Sequence, residues 1–181
     1  MHVQMIREHA FDVSALQEQL EHVQWDTIRL RTEHPQSPHH EVSDIWVRYN
    51  PIENYDGDMR KFNSEHIPEW YPVAEELSEA VRISHSLSME FQALTLGAVL
   101  ITKIPAGKQV YAHVDQGWHA RTFDKFAVTV KGNPAQAFHF ENEYLVTHPG
   151  DLWTFDNSHP HWVTNDSDED RITLIICLRR H

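Results

Sequence analysis

The sequence holds a single cysteine, Cys177, which excludes an intrachain disulfide and suits a reducing compartment. Cys177 lies in an apolar run, so packing is its expected role rather than nucleophilic attack. No apolar run approaches the roughly 20 residues that a membrane-spanning helix needs. Residues Met1 to Glu8 contain no apolar core of the signal-peptide kind, so a cytoplasmic protein with no membrane partner is expected. Positive charge is also scarce: 15 Lys and Arg face 27 Asp and Glu, a formal net charge of −12. That balance argues against a broad grip on nucleic acid or an anionic membrane. Internal repeats, low-complexity tracts and evident linkers are absent. One domain over residues 1–181 is expected, with an N-terminal helical and irregular part (1–95) and a β-rich core (96–181).

What is present is unevenly spread. Residues 1–100 carry 7 Lys/Arg against 17 Asp/Glu, and residues 132–181 carry 3 against 8. Residues 101–131 reverse the sign, with Lys103, Lys108, Arg121, Lys125 and Lys131 against Asp115 and Asp124. A solvated face would account for such a run. The sharper reading is a site mouth that attracts small anions.

In residues 11–23, Val13, Leu16, Leu20 and Val23 fall near one face of a helix, with Asp12 or Ser14 as N-cap. A second helix is expected over residues 72–82, with Pro72 in its first turn. Between them, residues 44–49 read as a short strand in an otherwise irregular, proline-containing stretch. From about residue 96 the texture becomes short β-type runs separated by turns. Strands are expected near 97–104, 108–114, 125–131, 136–140, 143–147, 151–155, 161–164 and 171–178. Eight short strands so spaced predict an antiparallel sandwich or barrel, with the helices packed outside it.

The densest chemistry is His113-Val114-Asp115, followed by His161 and then Arg171. A histidine and a carboxylate two residues apart share a face of an extended segment. A histidine from a later strand completes a three-point set. Two imidazoles and one carboxylate leave coordination positions open, the arrangement of non-haem Fe(II) oxygenases. Arg171 adds a planar fork suited to a co-substrate carboxylate. Along its strand Arg171 alternates with Thr173, Ile175 and Cys177 on one face, against Ile172, Leu174, Ile176 and Leu178 on the other. An arginine opening so apolar a strand needs an anion, and Thr173 can donate its hydroxyl to the same one.

Residues 97–178 resemble the catalytic core of the Fe(II)/2-oxoglutarate-dependent oxygenases, closest to the aspartyl/asparaginyl β-hydroxylase-like group with its small phage and bacterial members. The resemblance rests on Ile104-Pro105-Ala106-Gly107 ahead of His113-Val114-Asp115, then Gly132-Asn133-Pro134. It continues through Pro149-Gly150-Asp151-Leu152-Trp153-Thr154-Phe155-Asp156-Asn157-Ser158, then His161 and Arg171. It implies a mainly β (α+β) fold, a double-stranded β-helix or cupin-like jelly roll with flanking N-terminal helices. It also implies Fe(II), with 2-oxoglutarate and O2 as co-substrates, and His113, Asp115 and His161 as metal ligands. Some members of the group lack the carboxylate ligand, whereas Asp115 is present. The family commonly places a histidine two residues after the basic position matched by Lys125, where it helps to hold the keto acid; Ala127 stands there, leaving Lys125 or another residue to compensate.

His161 is preferred over His159 because it matches the family interval to Arg171 and shares a strand face with Val163; His159, before Pro160, is expected at the rim. His139 and His148 read as structural, and His39, His40, His66 and His85 have no specific claim. Trp118, His119 and Arg121 are expected to line a substrate opening, with Trp118 and Arg121 as contacts. Trp46, Arg48 and Tyr49 are candidates to cover it, although core packing is preferred for Trp46, Trp153 and Phe155. The expected activity is hydroxylation of an amino acid, free or within a peptide or protein. A non-catalytic cupin-like metal or small-anion module and a nucleic-acid-directed oxygenase are the alternatives.

Overall fold

The computed structural model describes residues 1–180. The chain forms β1 (Val3–Arg7), α1 (Ser14–Leu20), β2 (Ser43–Tyr49), α2 (Met59–Phe62), β3 (Glu69–Trp70) and α3 (Ser78–Glu90). There follow β4 (Thr95–Ile104), β5 (Gln109–His113), α4 (Trp118–Thr122), β6 (Asp124–Lys131) and β7 (Gln136–Phe140). The last strands are β8 (Tyr144–Val146), β9 (Leu152–Phe155), β10 (His161–Asn165) and β11 (Arg171–Arg179). Seven strands pair in the order β1-β9-β6-β11-β4-β2-β3, and four in the order β5-β10-β7-β8. From β4 onward the chain crosses between the sheets at each step except the β7–β8 hairpin, which is the winding of a jelly roll.

The larger sheet is covered on both faces, so its strands are apolar at nearly every position. One face receives Leu16 and Leu20 of α1 and Ile83 and Leu87 of α3 against Val99, Ile101, Val128, Leu174 and Ile176. The other meets the smaller sheet through Ile104, Ala127, Trp153 and Phe155 against Val110, Phe138 and Val163. The parity expected for β11 holds: Ile172, Leu174, Ile176 and Leu178 face the helices, and Arg171, Thr173, Ile175 and Cys177 face the interior between the sheets.

All eight C-terminal strands form close to their expected bounds, and residues 43–49 form the strand expected over 44–49. Both expected helices change. The first is confined to Ser14–Leu20, capped by the backbone at Val13; Asp12 instead accepts from the Ser14 amide at 2.9 Å and its hydroxyl at 2.6 Å. The second begins at Ser78, because Pro72 opens a separate 3-10 turn over Pro72–Glu75 and the chain breaks at Leu77 (φ −111°, ψ 47°), whose side chain is fully buried. β1 had no sequence signature; it is an edge strand held by pairing with β9, with Val3 opposite Phe155. Among the described residues no helix is long and apolar enough to cross a membrane.

The irregular segment between α1 and β2 is tied down by one carboxylate. Buried Asp44 accepts from Arg31 Nε and Nη2, both at 2.8 Å, and from Thr102 Oγ1 at 3.0 Å. Its amide donates to Asp26 Oδ1 at 3.0 Å, and its carbonyl accepts from the Asp26 amide at 2.9 Å. Removing the carboxylate strands a partly buried guanidinium. Asp44→Ala is therefore expected to cost about 3–5 kcal/mol, read as a lowered urea midpoint with an unchanged slope; a loss below about 1 kcal/mol would show that the network contributes little.

Candidate active site

Strand pairing brings His113 and His161 together. Their Cα atoms are directly opposite in the β5–β10 ladder, and their rings lie 4.4 Å apart. β5 ends at His113, so Asp115 is placed by the following turn rather than by the strand: its amide donates to the Asn157 carbonyl at 3.1 Å. Its Oδ1 still comes within 3.3 Å of His113 Nε2. One ligand atom from each of His113, Asp115 and His161 lies within 4.8 Å of the others.

Each imidazole is oriented from behind. His113 Nδ1 lies 2.8 Å from the Tyr111 carbonyl, and His161 Nδ1 lies 2.8 Å from the His159 carbonyl. A carbonyl can only accept, so each Nδ1 donates and each Nε2 is turned toward the cluster, where His113 Nε2 faces the Asp115 carboxylate and a bound cation would take the place of a proton between them. Burial lowers the pKa of His161, favouring the neutral ligand form. Burial alone would raise that of Asp115, but His113, Lys125 and His161 outweigh it and hold the carboxyl ionised far below its usual range. Asn157 Nδ2 also donates to Asp115 Oδ2 at 3.3 Å.

Two cavities meet at this cluster, sharing Arg31, His39, Asp115 and Lys125. The inner one, about 90 Å3, runs between the sheets to Arg171 and Thr173. Arg171 is 3% exposed. Its Nη1 donates to Thr173 Oγ1 at 2.6 Å, while its buried Nη2 has no partner among the described residues. Burial draws its pKa down to about 10, so it remains a cation at neutral pH. Lys125 lies at the junction, with Nζ 3.8 Å from Asp115 Oδ2 and 3.4 Å from Cys177 Sγ. Burial disfavours the Lys125 charge, but Cys177 and Asp115 more than offset it, leaving its pKa raised. Cys177 is a buried thiol whose pKa burial pushes up. Ala127, fully buried two residues along β6, packs in the interior layer.

The outer cavity, about 200 Å3, is walled by Trp46, Arg48, Tyr49, Met59 and His119. Here the substrate assignments shift. Trp118 stacks edge-on against His66, His119 and Phe123, and Arg121 is exposed; neither lines the cavity. The expected loop folds into α4, which turns His119 inward, where burial draws its pKa down to about 2 and its Nε2 accepts from the Ala98 amide at 3.1 Å. Gly97 permits that approach, since a Cβ there would lie 2.6 Å from Phe123 and 2.9 Å from His119 Nε2.

Nor is the basic run 101–131 the mouth. Lys103 lies over the Trp25 ring at 4.3 Å, Lys108 pairs with Glu41 at 3.3 Å, and of the five basic residues only Lys125 lines either cavity. The outer cations are Arg31 and Arg48. Arg48 has no carboxylate partner among the described residues; it contacts the Leu96 carbonyl at 3.3 Å and the Trp70 ring at 5.1 Å. Trp46 packs in a core cluster, as expected, and also lines the cavity, with a buried Nε1–H that lacks an acceptor among the described residues.

Sequence reasoning missed His39 and Arg31. Buried His39 sits edge-on to His113 with ring centroids 4.6 Å apart, and burial followed by the nearby Arg31 charge keeps it neutral. Both residues come from the irregular stretch before β2, where no periodicity marks which side chains turn inward. His159 lies outside the cluster and His139 on the outer side of the smaller sheet, stacked on Trp162.

Solved structures share this fold at low identity. An oxidoreductase of the 2OG-Fe(II) oxygenase family from Burkholderia pseudomallei superposes with TM-score 0.64 at 12% identity, over 99% of this chain and 85% of that one. A viral collagen prolyl hydroxylase from Paramecium bursaria Chlorella virus-1, solved with 2OG, gives 0.54 at 9%, over 100% and 97%. A Pseudomonas putida prolyl-4-hydroxylase gives 0.52 at 12%, over 100% and 94%. No curated protein matches the chain in sequence. The family model for aspartyl/asparaginyl β-hydroxylases matches residues 3–181. Since that match runs from the edge strand β1 through the arginine strand β11, it takes in the whole of both cavities, and the chain belongs to the aspartyl/asparaginyl β-hydroxylase family of 2-oxoglutarate-dependent hydroxylases.

Proposed function

We propose that His113, Asp115 and His161 hold Fe(II), that 2-oxoglutarate occupies the inner cavity with its remote carboxylate on Arg171, and that the outer cavity takes an amino-acid substrate. The observation that carries this reading is the unpartnered Nη2 of Arg171 at the end of a cavity that begins at the three ligands. A buried guanidinium with free donor capacity calls for an anion, and a carboxylate matches its fork. Thr173 holds the guanidinium in place through Nη1. Lys125 offers a second cation where the keto-acid end would meet the ligands, compensating for Ala127. Bound together, iron, keto acid and O2 supply the oxidising power for an unactivated C–H bond. The protein's part is to fix each lone pair, keep Asp115 ionised and exclude water around the reacting groups. Family membership favours turnover over a passive cupin-like module. The absence of a basic stripe at the mouth argues against a nucleic-acid substrate.

In the outer cavity, among the described residues, Arg48 has no carboxylate partner beyond its contact with the Leu96 carbonyl, and the Trp46 Nε1–H has no acceptor. They support a substrate that carries a carboxylate, with Arg48 replacing Arg121 as the contact.

Three outcomes are expected. His113→Ala and His161→Ala lower Fe(II) affinity at least about tenfold, measured by anaerobic equilibrium dialysis, whereas His159→Ala leaves the inner site loaded. The reverse pattern for the two later histidines would reassign the distal ligand. Arg171→Ala raises the apparent 2-oxoglutarate constant by a factor corresponding to about 2–5 kcal/mol, read by succinate formation, and Arg171→Lys is intermediate because it keeps charge but loses the fork. An unchanged constant in Arg171→Ala removes the residue from co-substrate binding. With 2-oxoglutarate saturating, Arg48→Ala raises the KM of an anionic substrate about 10–100-fold and that of a neutral analogue far less, while Arg121→Glu alters neither. Equal effects of Arg48→Ala on both substrates would mean that its charge has no part in recognition.

A further inference from the structure

A second cluster of metal-ligating side chains lies on the outer side of the loop that delivers His161. His2, just before β1, faces Asp156 and His159 in the connection from β9 to β10, and one ligand atom of each lies within 4.8 Å of the others. Backbone pairing fixes this meeting. Val3 opposes Phe155 in the β1–β9 ladder, and the Asp156 amide donates to the His2 carbonyl at 2.7 Å. His2 and Asp156 are thus neighbours by register rather than by chance contact of surface side chains.

The Asp156 carboxylate is already aimed. Its Oδ1 accepts from the Ser158 amide at 3.0 Å and the Ser158 hydroxyl at 2.6 Å. Its Oδ2 lies 3.0 Å from His159 Nδ1 and 3.7 Å from His2 Nδ1. The two imidazoles sit with ring centroids 4.0 Å apart. Around a tetrahedral Zn(II) with ligand bonds of about 2.0–2.1 Å, neighbouring donors stand about 3.4 Å apart. The two spacings to Asp156 Oδ2, 3.0 and 3.7 Å, bracket that value. Glu143, whose carboxylate accepts from the His2 amide, and Glu141 line the adjoining pocket, so the surroundings are acidic.

We propose that His2, Asp156 and His159 form a second metal site, for a borderline divalent cation of the Zn(II) type, which pins the β9–β10 loop. Two imidazoles and a carboxylate suit that class of ion and leave a coordination position open to solvent. No arginine among the described residues lines the adjoining pockets, and Asp156 and His159 are exposed at the surface, so its role is to hold structure. What it holds is specific: the same loop turns Asn157 inward onto Asp115, and the His159 carbonyl accepts from His161 Nδ1. An ion on the His159 ring would restrain the backbone that orients the distal ligand of the inner site.

The test uses tag-free full-length chain carrying His113→Ala, so that the inner site is disabled and the outer one is read alone. Zn(II) is titrated with metal analysis after equilibrium dialysis, and the melting temperature is followed in parallel. The proposal expects one equivalent bound with a dissociation constant below about 100 μM, and a melting temperature that rises with Zn(II) as binding to the native state requires. Adding His2→Ala, His159→Ala or Asp156→Asn should each weaken binding at least about tenfold, the Asp156→Asn change doing so while preserving shape and both histidines. Binding weaker than that limit, or binding that all three substitutions leave unchanged, would overturn it. Because the inner site is already disabled, neither result depends on whether iron and 2-oxoglutarate bind as proposed above.

Discussion

Each central strand of the seven-stranded sheet sends alternate side chains into two buried layers, one shared with α1 and α3 and the other with the smaller sheet. A polar residue on such a strand has no route to solvent, so its position decides its environment. Arg171, Thr173 and Cys177 of β11 and Lys125 of β6 all fall in the layer between the sheets. Of the two cations confined there, Lys125 reaches the Asp115 carboxylate at 3.8 Å, whereas the Arg171 guanidinium is held by Thr173 and its Nη2 has no partner among the described residues. Burial of unpaired charge is expensive. On the proposed reading, a small dianion entering this layer would offset that cost, with one carboxylate for the guanidinium and a chelating end near Lys125 and the ligands.

The rest of the molecule serves this layer. The β5–β10 register sets the two histidines opposite each other, and backbone carbonyls behind them fix which nitrogen faces inward. The N-terminal half closes the open end: the Asp44 network anchors Arg31, and the same stretch supplies His39 beside His113. β2 contributes Trp46, Arg48 and Tyr49 to the outer wall. The inner and outer cavities meet at Arg31, His39, Ala98, Leu100, Asp115 and Lys125, which line both.

The parts of this arrangement that were legible in the sequence are those governed by period two. Strand alternation identified the inward face of β11; His113 and Asp115 come together as their spacing suggested, but through the turn after β5 rather than a shared strand face. Elements governed by tertiary pairing were not legible: β1 has no pattern of its own and exists through β9, and Arg31 and His39 reach the site from an irregular stretch. The basic run 101–131 misled because proximity in sequence is not convergence in space. Successive strands carry its members to opposite faces and ends, and Lys103 and Lys108 find partners outside the cavities. Arg121 misled for a related reason, since the helical turn of α4 directs His119 inward and leaves Arg121 in solvent.

The claim on which all of this turns is that the metal cluster and Arg171 hold one keto acid between them. Anaerobic visible spectroscopy tests it directly, because a keto acid chelated to Fe(II) produces a metal-to-ligand charge-transfer band that neither component shows alone. The account predicts that wild-type protein develops the band only with both Fe(II) and 2-oxoglutarate present, that His161→Ala does not develop it, and that Arg171→Ala needs far more 2-oxoglutarate to reach it. A wild-type protein that binds Fe(II) yet shows no band at saturating 2-oxoglutarate would contradict it.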